Sequence, residues 1–430
     1  MIRRLLRAPA LLALPLALVA GACTERLQTA DGCPVLCPGQ SFEVLDTILD
    51  PAIVFDTTLG GFPLQGYESP LVLASRGDSL DVRPVIRFDT LTRFFTPSGD
   101  TSRAVTRLDS LTLKVRLTRT SLRLPATFFV DAYDVGDSLA PDSIPTALLP
   151  HFVPARLLGT VQVDSAALLF DTTTVTFYLD TAKVMAILRV PNAPLRIGLR
   201  VRAASSVQLY VTPSDDATHG PRLRYRVSPD TAIPAPVLRP SSATPVHPQN
   251  LNGDLLDYHI VAAGPDPRKA GRFGVGGMPA VRSYLRFNLP RRLTDSTAVL
   301  RAQLELVQDP LRGVAERDSV TIRTQLVLAG YATTDLSRAA RLLAPAGYFV
   351  GDSIRVAPGD SGTVRIEINA LFRAWRTTAG LPNIPSALVL RSDFEGFGPQ
   401  GARFFGVTAP PGLRPRIRVS YVPNIKFGQP

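Results

Sequence analysis

The sequence predicts an all-β protein: two tandem, jelly-roll-like antiparallel β-sandwiches, each with one short helix. Three observations predict it. Apolar residues alternate with polar ones at every second position, as in Val364, Ile366 and Ile368 against Arg365 and Glu367, which puts one strand face on a core and the other in water. Thr, Val and Arg abound while Glu and Lys are scarce, a composition that favours strands over helices. The pattern also occurs twice, with an offset near 190 residues. Of the 430 residues 45% are apolar and 19% charged, which is enough to bury cores and predicts two or three domains. Three Cys and four His exclude a disulfide-dense scaffold and a zinc array. No apolar run of about 20 residues follows the N-terminal region, so no later segment reads as a membrane-spanning helix.

The chain opens on Arg3, Arg4 and Arg7, followed by an apolar run from Ala8 to Val19, which is the length of a secretory signal and too short to span a bilayer. Small residues then lead straight to a cysteine in Val19-Ala20-Gly21-Ala22-Cys23, a sequence that resembles a bacterial lipobox. The resemblance implies that residues 1–22 are removed, that Cys23 carries the lipid, and that the chain is exported to the outer membrane or cell surface. Residues 23–40 then form a tether. Its two cysteines, Cys33 and Cys37, read as a local disulfide in an oxidising compartment; half of a metal site is the alternative. Net charge is +11, carried almost wholly by Arg, and falls to +8 without the first three. Spread along strands, these arginines read as solvated faces or as a surface attracted to anionic polymers and lipid headgroups; no nucleic-acid motif accompanies them.

The first sandwich is expected over 41–228 and the second over 250–423, with a Pro-rich linker at 229–249 and a tail at 424–430. Strand pairs recur in order. Val85–Asp89 corresponds to Tyr284–Asn288, Leu111–Leu117 to Val299–Leu306, and Val175–Asp180 to Val364–Asn369. Pro194–Arg200 then corresponds to Pro385–Arg391, and Pro221–Val227 to Pro415–Tyr421. Six prolines between Pro229 and Pro248 bar that stretch from a sheet interior and make it the linker. Asp180 and Asn369 suit helix N-caps, and the segments after them lack alternation. One helix per sandwich is therefore expected, over Thr181–Arg189 and Ala370–Thr378, with Val184 and Leu188, or Leu371 and Trp375, on one face.

This strand order resembles that of the DNRLRE-type domain, a family related to carbohydrate-binding modules of secreted bacterial proteins. It runs Ser283–Leu289, Ala298–Val307, Val364–Trp375, Ala387–Ser392, Arg403–Phe405 and Pro415–Tyr421. The departures are the loop 134–160 and an insert at 308–360. The resemblance implies a non-catalytic surface binding or adhesion module, with polysaccharide as a candidate ligand. A structural envelope lipoprotein holding a protein partner is the alternative. It implies no cofactor and assigns no ligand-binding residue.

Candidate chemistry is sparse. Trp375 could stack a sugar ring, but its spacing with Leu371 favours the core; Tyr67, Tyr133, Tyr258 and Phe397 are the better platform candidates. Asp393 and Glu395 place two carboxylates in one loop, where Ca²⁺ binding or glycoside hydrolysis competes with a solvated hairpin; Ser214-Asp215-Asp216 with His219 admits the same Ca²⁺ reading. His151, His219, His247 and His259 lack recognisable catalytic partners, and Gly274-Val-Gly-Gly277 reads as a turn. No catalytic and no metal-ligating residue is therefore assigned.

Overall fold

The computed structural model describes residues 44–423, apart from 90, 92, 97–100, 137–144, 169–171, 191–193, 229–236, 242–254, 296, 313–318, 329–332, 344–349 and 376–384. Cys23, Cys33, Cys37 and His247 lie outside the described residues, as do the tail and most of the expected linker. The chain divides into two units, Met1–Leu45 and Asp46–Pro430, and nearly everything described belongs to the second.

Strands β1 (Leu45–Leu49), β2 (Ile53–Phe62), β3 (Leu71–Ser75) and β4 (Asp81–Phe88) come first, followed by a small hairpin, β5 (Phe94–Phe95) and β6 (Arg103–Ala104). Then come β7 (Arg107–Arg119), β8 (Thr127–Asp134), β9 (Leu157–Asp164), β10 (Thr172–Tyr178), helix α1 (Thr181–Arg189), β11 (Leu195–Arg202), β12 (Val207–Val211) and β13 (Arg222–Ser228). The second half runs β14 (Val237–Leu238), β15 (Asp257–Ala263), β16 (Arg272–Gly276), β17 (Ala280–Phe287), α2 (Arg291–Asp295), β18 (Thr297–Gln308), β19 (Val320–Leu326), α3 (Leu336–Arg341) and β20 (Val350–Val356). It closes with β21 (Gly362–Glu367), α4 (Asn369–Ala374), β22 (Ala387–Ser392), β23 (Gly401–Phe405) and β24 (Arg416–Pro423).

The fold is all-β, with two antiparallel eleven-stranded sheets that each curl into a sandwich. In the first, β15, β4, β11, β8 and β9 form one layer and β10, β7, β13 and β14 the other, joined by β3 and β12. Alternation fills the space between the layers. Leu111, Leu113, Val115 and Leu117 of β7 meet Phe128 and Val130 of β8 and Ile197 and Leu199 of β11 in one buried cluster. The second sandwich repeats this plan strand for strand, with β2 in the place of β15 and β1 in the place of β14.

That substitution changes the expected domain boundaries. β2 pairs with β17, not with β4 of its own repeat, while β15 pairs with β4. The repeats therefore exchange their opening strands. The physical reason lies in the two connections, 63–70 and 264–271, each bracketed or filled by proline (Pro63 and Pro70; Pro265 and Pro267). Proline fixes φ and removes a donor, so neither connection continues as a paired strand, and each carries the chain to the other sheet, 63–70 by way of a turn closed by Tyr67 N to Leu64 O. The described part of the expected linker is also sheet. Val237–Leu238 pair with β13 at an edge, where a short strand tolerates flanking prolines, and Ser241 bridges to Phe88.

The helices follow the sequence closely in the first repeat and less so in the second. Asp180 caps α1 through its side chain, accepting from the backbone of Ala182 (3.0 Å) and Lys183 (3.1 Å). Val184, Met185 and Leu188 are buried, and this packing holds so short a helix. Asn369 is not the cap of α4: it is the first helical residue, and its side chain donates to Leu300 O (3.0 Å). Among the described residues the second repeat carries three α-helices instead of the one expected. The two expected departures prove equivalent, since 134–160 and 308–360 each hold a helical segment between the same pair of sheet strands: a 3₁₀ turn, Pro145–His151, between β8 and β9, and α3 between β19 and β20. Pairing also corrects one correspondence: Lys114 faces Arg222 and Thr176 just as Glu305 faces Arg416 and Arg365, so Leu113 matches Leu304, and the bulge at Asp109 matches the one at Leu300.

Candidate ligand-binding cleft

The segment Asp393-Phe-Glu-Gly-Phe-Gly398 joins β22 to β23. Its two carboxylates are engaged in ion pairs. Asp393 takes two hydrogen bonds from Arg323 (2.7 and 3.1 Å). Glu395 takes two from Arg282 (2.7 and 2.6 Å), whose guanidinium lies 3.8 Å over the Phe62 ring. Burial works against the Arg282 charge, but the Glu395 bonds outweigh it and hold the guanidinium above its ordinary pKa. Gly396 turns the loop at φ +76°, and a Cβ there would meet Pro63 Cδ at 2.5 Å, so both conformation and space require glycine. The Ca²⁺ and hydrolytic readings of this loop therefore give way to a structural one: two bidentate Arg–carboxylate forks lock its shape.

What the locked loop presents is aromatic. Phe394 is 70% exposed, and its ring centroid lies 6.3 Å from that of Phe397. Phe397 lies 6.3 Å from Tyr210 on β12 of the other sandwich, edge to face. The Phe397 carbonyl accepts from Tyr210 Oη (3.2 Å) and Gln208 Nε2 (3.4 Å), so the loop is docked across the junction. Burial raises the Tyr210 pKa, which keeps this hydroxyl a donor.

Beside these rings opens a cleft of about 590 Å³, within the size range of ligand sites. Both sandwiches line it. Arg76, Arg119 and Arg123 come from the first, and Arg355, Phe394 and Phe397 from the second. Arg76 donates to Gln208 Oε1 (2.9 Å) and Arg355 to Ser319 Oγ (2.5 Å). The Thr120 hydroxyl donates to Gln208 O (2.9 Å) and accepts from Leu122 N (3.3 Å), which fixes the 120–122 turn at the rim. Hydroxyl and amide groups of Ser121, Thr321 and Gln400 complete the polar lining, which among the described residues contains no carboxylate, imidazole or thiol.

The remaining sequence candidates lie elsewhere. Trp375 is 5% exposed and packs on Phe287 and Phe372, as its spacing predicts. Tyr133 and Tyr258 are buried and offer no platform, while Tyr67 is exposed but outside the cleft. Asp216 accepts from the backbone of Thr218 and His219 (2.8 Å each), and these N–H groups hold its pKa below the usual carboxylate value. It closes its own turn and forms no cation cage; no group of three or more metal-ligating side chains occurs among the described residues. Gly274–Gly277 end β16 in a turn, with Gly276 and Gly277 at positive φ. His259 is buried on β15, where Nδ1 accepts from Val72 N (3.4 Å) and burial pushes its pKa down to about 4. Nearby, burial raises Glu68 to about 8 and Asp257 to about 6, although Asp257 accepts from Ser214 N (2.5 Å).

Sequence reasoning found Phe397 but missed Tyr210, Phe394 and the lining arginines. The cleft draws on residues from 76 to 400, and nothing local brings them together; only the pairing across the exchanged strands does.

No protein-family model and no curated protein matches the chain. Among solved structures, a protein of Parabacteroides distasonis described as secreted aligns at 10% identity over 89% of this chain and 100% of its own, with a TM-score of 0.20. The tandem CBM22-1–CBM22-2 domains of Paenibacillus barcinonensis Xyn10C align at 9% identity over 89% and 99%, with a TM-score of 0.17. Infectious bursal disease virus, Gx strain, aligns at 10% identity over 90% and 78%, with a TM-score of 0.13. At this level of superposition these likenesses carry nothing about function.

Proposed function

We propose that this protein is a non-catalytic polysaccharide-binding module of the cell surface, and that the cleft between its sandwiches holds the ligand. The observation that carries the reading is the aromatic pair on a locked loop, exposed Phe394 and half-buried Phe397, beside hydroxyl, amide and guanidinium donors. Rings of this kind stack on the apolar faces of sugars, and the donors meet their hydroxyls. Four arginines with no carboxylate among them suit acidic sugars over neutral ones. The DNRLRE resemblance points the same way. Export, lipid attachment at Cys23 and a Cys33–Cys37 disulfide belong to this proposal, as does membership of that family.

The test is binding to a panel of acidic and neutral polysaccharides by the wild-type chain and by Phe394→Ala with Phe397→Ala. The expected result is binding weakened about tenfold or more by the double change, equivalent to about 1.4 kcal/mol, with the melting temperature kept. A folded chain that binds no polysaccharide, or binding that ignores both rings, would overturn the proposal.

A further inference from the structure

The outer face of the β10–β7–β13 layer differs in charge from its counterpart in the second repeat. In the second repeat, Glu305 of β18 is 1% exposed and accepts from Arg365 (2.9 Å), Arg416 (2.7 Å) and Arg418 (3.3 Å). Glu367 pairs with Arg301 at its edge (2.9 Å). Four arginines of that face thereby share two buried or half-buried carboxylates, which compensate half of their charge. In the first repeat the position of Glu305 is held by Lys114, and that of Glu367 by Tyr178. Arg222, Arg224 and Arg226 alternate along β13, and Arg116 lies on β7 beside Lys114. These five cations share one face with Thr172, Thr174 and Thr176 of β10 and hold no acidic residue among them.

Among the described residues, the carboxylates on the adjoining segments stand at the margins and are occupied. Asp109, at the β7 bulge, lies 3.4 Å from Arg107, and Asp216 accepts from its own turn. The contacts of the cations themselves go to neutral groups. Arg116 donates to Thr172 Oγ1 (3.1 Å), and Arg222 to the carbonyls of Gly220 (3.1 Å) and Pro221 (3.0 Å). Burial and then the nearby charge of Arg239 lower the Arg222 pKa, and the charge of Asp216 offsets this only in part. Tyr178, 78% exposed, stands at the edge of the face.

We propose that this face docks on an anionic phospholipid surface. The argument is complementarity of charge and shape. The cations are spread over a sheet face three strands wide instead of being lined up along one strand as a track for a single polymer. Guanidinium forks match phosphate oxygens, and an exposed tyrosine at the rim suits the headgroup layer. The same fold with carboxylates in place serves as an internal control: the architecture does not require an unneutralised face. The inference stands apart from the cleft, whose residues it does not use.

The test is sedimentation of the full chain with phosphatidylcholine vesicles, with and without phosphatidylglycerol. Any lipid anchor inserts in both, so the difference between them isolates the face. Wild type is expected to prefer the anionic vesicles and to lose that preference as salt is raised. Arg224→Glu with Arg226→Glu should reduce the preference more than tenfold, on the order of the per-residue contribution of basic groups at such surfaces. Lys114→Glu, which copies the carboxylate-centred arginine cluster around Glu305 and is thus expected to fold, should do likewise. Arg291→Glu with Arg292→Glu, on exposed α2, makes the same change in net charge and should leave the preference intact. Equal binding to both vesicles, or equal loss in the α2 variant, would overturn the proposal. So would capture by a soluble sulfated polysaccharide without capture by anionic vesicles, which would make the ligand a polymer.

Discussion

Glu68 is a carboxyl group buried beside the exchanged strand β15, with a pKa raised from 4.5 to about 8. The folded state thus favours its protonated form. Its stabilisation is complete below the unfolded pKa and is lost as pH rises toward 8. Asp257, raised to about 6, acts in the same direction, whereas His259, lowered to about 4, opposes both below its ordinary pKa of 6.5. Between pH 6.5 and 8 chiefly Glu68 remains. Denaturant unfolding should show stability falling by roughly 1–2 kcal/mol across that window, and Glu68→Gln should flatten the slope. A flat wild-type profile would contradict the assignment. The Arg282–Glu395 pair offers a second test. Both side chains are about nine-tenths buried, so Glu395→Ala strands a buried guanidinium and should cost about 3 kcal/mol. It should also weaken any cleft ligand, because it frees the loop that carries Phe394 and Phe397. Arg282→Met with Glu395→Leu should recover much of the stability but not the binding.

At the scale of elements, period-two alternation was enough to read β7, β10, β13 and β24, because each has one wet and one dry face, whereas β4, β11, β17 and β22 are buried on both faces and stand out by apolar content. The α1 cap was legible for the same local reason: Asp180 reaches the N–H groups two and three residues on. Asn369 misled because an asparagine side chain can also donate, and here it bonds a carbonyl of the neighbouring strand. The exchange was not legible. No local pattern marks it: Thr58 of β2 and Ser283 of β17, which face each other, are 225 residues apart in sequence. The cleft shared that fate, since Tyr210 and Phe397 are 187 residues apart in sequence.

At the scale of the whole molecule, each sandwich depends on the other for one full strand of its first layer. Neither repeat is therefore a self-sufficient domain. A fragment ending at residue 241 keeps β4 but lacks β15, leaving unpaired backbone and the apolar face of Val85 exposed. It should fail to give a cooperative monomer, whereas the full chain should unfold both sandwiches in one calorimetric transition. Two separate transitions would count against that interdependence. The most direct measurement is an engineered cross-link. Thr58 Oγ1 of β2 lies 2.8 Å from Ser283 Oγ of β17. Thr58→Cys with Ser283→Cys, in a chain with Cys23, Cys33 and Cys37 replaced by Ser, should oxidise to a disulfide within one chain, identified by peptide mass mapping. Thr58→Cys with Pro84→Cys, the pairing an unexchanged repeat would bring together, should stay reduced. Closure of the second pair and not the first would contradict the exchange and the cleft built on it.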